Sequence, residues 1–221
     1  MTVMTRSLLV GVVLCAVCVV ANGGEAAPAV RSIHELHARD IGGKDVALSK
    51  YAGRVLLIAN VASECGYTDS GYDDLNALHE RFHASGLQIL AFPCNQFGAQ
   101  EPGTNTQVLR FAHKKGAKFQ LMDKINVNPP DQHPVYAYLT AQGRDQGPVQ
   151  WNFEYFLVDA EGHVIRRYRT GTPLTSERAV EQIAAALEDA RVYRAERRKQ
   201  QEQRLQHKWR RPGDTGHHQE L

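Results

Sequence analysis

The chain has 221 residues and a net charge of +2, with 43% hydrophobic and 23% charged residues. That balance is ordinary for a soluble globular protein and excludes wholesale disorder, a collagen-like fibre and a multi-pass membrane protein. The near-neutral total also leaves the chain as a whole without the strong basic field of a nucleic-acid binder.

Arg6 precedes an apolar run over 8–21 (LLVGVVLCAVCVVA), and small residues follow at 21–24. A basic start, a short apolar stretch and a small-residue exit read as a secretory signal peptide over 1–24, with an extracellular or periplasmic product. The alternative is a membrane anchor, although a span needs about 20 apolar residues. Cys15 and Cys18 have CxxC spacing inside this run, without the strand-to-helix turn of a redox motif. Removal of the leader leaves Cys65 and Cys94, too few for a disulfide scaffold.

One domain is expected over 30–190. Residues 54–61 (RVLLIANV) form a continuous apolar run of strand length, and 87–93 (LQILAFP) form another. Between them, 73–85 set Leu75, Leu78 and Phe82 on one helical face, so the three segments read as a βαβ unit. A second helix is expected over 104–115, opened by Thr104 as a cap. Two strands follow over 152–158 and 164–169, joined by a turn at Asp159 to Gly162, and a last helix opens near Pro173 and Thr175. The pattern predicts an α/β fold, a central mixed β-sheet flanked by helices. Residues 191–221 carry nine Lys/Arg against four acids and read as a basic helical extension that outruns the core into a disordered tail.

Cys65 lies between the first strand and its helix. Reacting groups gather at strand ends of α/β sheets, and a helix N-terminus favours the thiolate, the nucleophilic form of a cysteine. Cys94 also ends a strand and reads as a packed thiol or a partner for Cys65. Asn95, Gln96 and Gln100 in the loop after it, with Trp151 and Asn152 later, supply neutral N–H donors of the kind that hold a developing anion. The ten histidines make no ligand pattern, so neither metal nor cofactor is expected.

Three blocks, NVASECGYT (60–68), LAFPCNQFGAQEPG (90–103) and WNFEYFLV (151–158), resemble the glutathione peroxidase family in order and spacing, with weaker similarity over 33–173. The resemblance implies a thioredoxin-like fold and a catalytic tetrad at Cys65, Gln100, Trp151 and Asn152, with cysteine in place of selenocysteine. It implies a peroxidase of oxidative stress defence, reducing hydrogen peroxide and organic or lipid hydroperoxides through a cysteine sulfenic acid. Cysteine members of the family often resolve that acid with a second cysteine and recycle with thioredoxin. Here Ala112 falls near that position, so glutathione is the expected reductant over a thioredoxin-type one, steered by Lys114, Lys115 and Lys118, unless Cys94 resolves the acid. The short segment 126–138 lacks a subunit-contact insertion and resembles the monomeric phospholipid-hydroperoxide type. The other function considered is a peroxide sensor that passes oxidation to a partner protein.

Overall fold

The computed structural model describes residues 30–209. The leader over 1–24 and the tail beyond Trp209 lie outside the described residues. Seven strands and four helices occur in the order β1 (His37–Arg39), β2 (Asp45–Ala47), β3 (Val55–Val61), α1 (Thr68–Phe82), β4 (Leu87–Pro93), α2 (Asn105–Lys114), β5 (Gln120–Leu121), α3 (Pro134–Ala141), β6 (Tyr155–Val158), β7 (Val164–Tyr168) and α4 (Glu177–Trp209). The main sheet has the order β5-β4-β3-β6-β7. β3 pairs parallel with β4 and antiparallel with β6, so the sheet is mixed, as expected.

β3 is apolar except at Asn60 because it is the middle strand and both its faces are covered. Val55, Leu57, Ala59 and Val61 join a core with α1, α2 and α4, while Leu56 and Ile58 join a second core with α3 and the β1–β2 hairpin. Complete burial of each Val, Leu or Ile stabilises by about 1.5–3 kcal/mol. Strand direction then sets the functional geometry. The carboxyl ends of β3 and β4 and the amino end of β6 meet at one pole, bringing the loops of all three sequence blocks together. Binding and reaction sites of open α/β sheets form at such carboxyl ends.

Several boundaries differ from the sequence reading. α1 starts at Thr68, before the first periodic apolar residue, because Thr68, Gly71 and Tyr72 continue its buried face. β6 starts only at Tyr155, because Phe153 has φ +61° and breaks the extended run. α3 was not expected. Its sequence PVYAYLTA is apolar almost all round and has no polar stripe to reveal a helical period. Pro134 takes the first helical position and His133 Nδ1 accepts from Val135 N–H at 3.2 Å. The β1–β2 hairpin and β5 are two or three residues per strand, too short for periodicity. The boundary between domain and extension, placed at 190, falls inside a continuous helix, since α4 runs unbroken to Trp209.

Candidate active site

Cys65 stands beyond the carboxyl end of β3, in the turn that leads into α1. Its N–H donates to Thr68 Oγ1 at 3.1 Å, and that hydroxyl donates to Ala62 O at 2.8 Å. The two bonds fix the turn so that Tyr67 N–H points at Cys65 Sγ, 3.5 Å away. The residue is 8% exposed and follows the central strand of the sheet.

Gln100 is delivered by a tight turn. Gly98 and Ala99 both have positive φ, +63° and +53°, and the second is strained because alanine rarely adopts that region. Glu64 N–H donates to Gln100 O at 3.0 Å, which ties the glutamine loop to the residue before Cys65. The Gln100 Oε1 atom accepts from Asn152 Nδ2 at 3.0 Å. With that acceptor occupied, the Gln100 amide retains its Nε2 donor for another partner. Gln96, the other glutamine of the loop, is fully committed elsewhere. Its Oε1 accepts from Val127 and Asn128 N–H at 2.8 and 2.9 Å, and its Nε2 donates to Asn128 O.

Asn152 is completely buried and its Oδ1 has no hydrogen-bond partner. Trp151 is 39% exposed and its ring centroid lies 5.9 Å from that of Phe97. Both depend on Asn60, the one polar residue of β3. Asn60 Nδ2 donates to Trp151 O at 2.9 Å, its Oδ1 accepts from Glu154 N–H at 3.1 Å, and its backbone O accepts from Phe153 N–H at 2.7 Å. Thr170 Oγ1 also donates to Asn152 O at 2.8 Å. Sequence reasoning missed Asn60 as a functional support. Its signal was available: a lone amide inside an apolar strand must find partners when buried.

Gly71 carries a further constraint. A β-carbon there would lie 2.4 Å from Phe153 Cδ1. Gly71→Ala should therefore push the Phe153 ring and destabilise by about 1–3 kcal/mol. Because Phe153 follows Asn152, the same variant should slow peroxide turnover; urea midpoints and steady-state rates check both effects.

Glu101 was also missed. It is completely buried, accepts from Ser63 Oγ at 2.6 Å, and donates its N–H to Asn95 Oδ1 at 2.8 Å, so it clamps the Cys65 loop to the Gln100 loop. Lys124 Nζ donates to Glu101 O at 3.1 Å and to Gly103 O at 2.6 Å. Burial raises the Glu101 carboxyl above the ordinary value, against the opposing Ser63 hydrogen bond and Lys124 charge. A raised acid binds more protons in the folded than in the unfolded state. Stability should therefore fall as pH rises from about 4.5 through the raised folded value. Glu101→Gln keeps the acceptor for Ser63 and should abolish that fall. Urea midpoints across this pH range check it, and an unchanged slope would refute it.

Cys94 is completely buried, and burial raises its thiol. Both cysteines are free, and they belong to core clusters on opposite sides of the sheet. Ala112 is buried in the cluster that holds Cys65. Lys115 is ion-paired with Asp69 in the first turn of α1, so its charge is partly engaged, while Lys114 and Lys118 are exposed. Among the described residues, no group of three or more His, Cys, Asp or Glu side chains could hold a metal ion.

Comparison with known proteins agrees with this geometry. The family model described as glutathione peroxidase matches residues 33–140. The chain is 46% identical over 164 residues to "Phospholipid hydroperoxide glutathione peroxidase 1, chloroplastic" of Arabidopsis thaliana, covering 72% of this chain and 70% of that protein. The crystal structure of T. cruzi GPX1 is 33% identical with a TM-score of 0.57, covering 71% of this chain and 97% of that one. A thioredoxin family protein from Chlorobium tepidum TLS, 15% identical, has a TM-score of 0.53 over 73% of this chain and 99% of its own, which speaks to the fold alone. The fold is thioredoxin-like, and the chain belongs to the glutathione peroxidase family.

Proposed function

We propose that the protein reduces hydrogen peroxide and organic or lipid hydroperoxides at the expense of a small thiol, with Cys65 as the nucleophile. Membership of the family supports peroxide reduction by a thiol-dependent oxidoreductase. The observation that carries the residue assignment is the Asn152–Gln100 amide pair, tied through Glu64 to the turn that holds Cys65. In this reading the Cys65 thiolate attacks one peroxide oxygen and the O–O bond breaks. The leaving oxygen takes a proton and departs as water or an alcohol, while the sulfur, oxidised by two electrons, becomes a sulfenic acid. Gln100 Nε2, the Trp151 indole N–H and the Asn152 amide stabilise charge on the sulfur and on the leaving oxygen. One thiol then condenses with the sulfenic acid, releasing water and forming a mixed disulfide. A second thiol cleaves it, restores Cys65 and leaves as a disulfide.

Alanine at 112 and the location of Cys94 in the opposite core support glutathione over a thioredoxin-type reductant. Hydroperoxide consumption measured side by side with glutathione and with thioredoxin tests this, and faster turnover with thioredoxin overturns the choice. The phospholipid hydroperoxide name of the Arabidopsis thaliana relative supports a bulky lipid hydroperoxide as one substrate. The short 126–138 segment supports a monomer. The basic start, apolar run and small exit over 1–24 support a secreted or periplasmic product, and a purified chain that begins after residue 24 would agree with that.

A further inference from the structure

α4 is longer than the sheet it packs on. Its 33 residues span about 50 Å, whereas the seven residues of β3 span about 23 Å. β7 runs parallel to β3, because each is antiparallel to β6, so α4 starts at the Cys65 pole and runs back toward the opposite one. Asp74 holds that start by accepting from Leu174 N–H and Thr175 Oγ1, both at 2.7 Å. The last fully packed residue of the helix is Ala190, and Arg194 makes the last anchoring bond, from Nη1 to Gly53 O at 2.7 Å. Gly53 lies just before β3, at the pole away from Cys65. Residues 195–208 are then exposed on every side.

The charges on this overhang are sorted. Arg194, Arg197, Arg198, Arg204 and Lys208 follow helical spacing along one face, while Glu196, Gln203 and His207, with the single cation Lys199, fall away from it. Arg194, Arg197, Arg198 and Arg204 line an open groove of about 550 Å³ with Gly53 and Tyr193. Glu202 touches Arg198 at 3.1 Å, but both side chains are exposed and such a pair neutralises little. Apart from Leu205 and the half-buried Tyr193, the described face carries no large apolar side chain that would insert into another protein or into acyl chains.

A separate observation places the first described residues at this pole. Ser32 Oγ donates to Glu161 O at 2.7 Å and Ile33 N–H donates to Gly162 O at 3.1 Å. Those acceptors form the β6–β7 turn, whose Ala160 O accepts from Gly53 N–H at 2.9 Å. The described residues therefore begin at Val30, beside the same surface.

We propose that the pole opposite Cys65, with the basic face of α4 from Arg194 to Lys208, docks on an anionic lipid bilayer. The recognised chemistry is a dense array of lipid phosphates, met by a fixed row of guanidinium groups. Docking there leaves the Cys65 pole facing away from the bilayer and open to solution. The surface shares no residue with the peroxidase site, so loss of either assignment leaves the other intact.

The test uses the full chain and the triple variant Arg197→Gln, Arg198→Gln, Arg204→Gln. Both are cosedimented with vesicles of phosphatidylcholine alone and of equimolar phosphatidylcholine and phosphatidylglycerol. The two proteins differ only at these three positions, so the difference between them reads the basic face. Each Lys or Arg near an anionic surface changes partitioning about fivefold. The triple variant should therefore lose about a hundredfold on anionic vesicles and little on neutral ones, with peroxide turnover in solution unchanged. Raising salt from about 0.1 M to about 1 M should remove the wild-type preference, as the screening length falls from about 10 to 3 Å. Equal binding of the two proteins to anionic vesicles, or of wild type to both vesicles, overturns the proposal. Tighter wild-type binding to duplex DNA than to anionic vesicles at the same phosphate concentration also overturns it, in favour of a nucleic-acid partner.

Discussion

Cys65→Ser should reduce peroxide turnover to the uncatalysed background, a loss of about a thousandfold or more, while leaving the protein folded. Replacing a nucleophile removes the covalent step outright, and the remaining donors cannot supply it. Serine cannot substitute, because its hydroxyl is far less nucleophilic than a thiolate and forms no sulfenic acid. The fold should tolerate the change. The side chain keeps its size, and the new oxygen can still accept from Tyr67 N–H. The turn itself is held by Thr68 through Cys65 N–H and Ala62 O, neither of which involves the sulfur. Unfolding midpoints should therefore stay within about 1 kcal/mol of wild type. Cys94→Ala is the companion variant. It removes a buried thiol on the opposite side of the sheet and should retain turnover with glutathione. Mass spectrometry after one equivalent of hydroperoxide should find one added oxygen on Cys65 in wild type and none on the serine variant. A serine variant that keeps wild-type rates would remove Cys65 from the chemistry.

The parts of this site that the sequence exposed are those whose pattern has a local cause. β3 and β4 are visible because a strand covered on both faces reads as a near-continuous apolar run, and 55–61 and 87–93 do so but for Asn60 and Gln88. α2 is visible because Thr104 and Gln107 form a reciprocal cap at its start. The choice between Gln96 and Gln100 had no local cause. Both amides sit in the same turn-rich loop, and only the distant Val127 and Asn128 show that Gln96 is occupied. The supports of Trp151 and Asn152 are similarly non-local, since Asn60 and Thr170 reach them from 91 and 18 residues away. α3 was hidden for the opposite reason. A helix buried on most sides loses the amphipathic alternation by which helices are recognised. The catalytic assignment therefore came from the three blocks together, whereas its physical support became visible only once strand direction brought them to one pole.

That support makes a second large effect predictable. Glu154 and Arg167 form an ion pair at 2.7 Å with both side chains 1% exposed. Glu154 also accepts from Gln150 N–H at 2.6 Å, directly before Trp151, and its N–H is held by Asn60. Arg167 spends its remaining donors on Asp145 O at 3.2 Å, Gly147 O at 2.8 Å and Pro148 O at 2.9 Å. The pair thus pins both flanks of the segment that carries Trp151 and Asn152. Arg167→Met removes one partner and leaves a carboxylate in a dry site, which costs about 3–5 kcal/mol. Arg169 Nη1 remains 3.2 Å from Glu154, but at 40% exposure it is better hydrated and offsets only part of the loss, so the lower end of that range is expected. Arg167→Lys keeps a charge but loses the planar fork, and should fall between wild type and the methionine variant. The double variant Glu154→Leu, Arg167→Met has no unpaired charge and should recover most of the stability. It still lacks the acceptor for Gln150 N–H, so peroxide turnover should stay low although the fold has returned. Urea unfolding of the four proteins, together with their rates, separates these effects. If the double variant regained full activity with its stability, the pair would matter to folding alone, and the Gln150–Glu154 bond would have no part in placing Trp151 and Asn152.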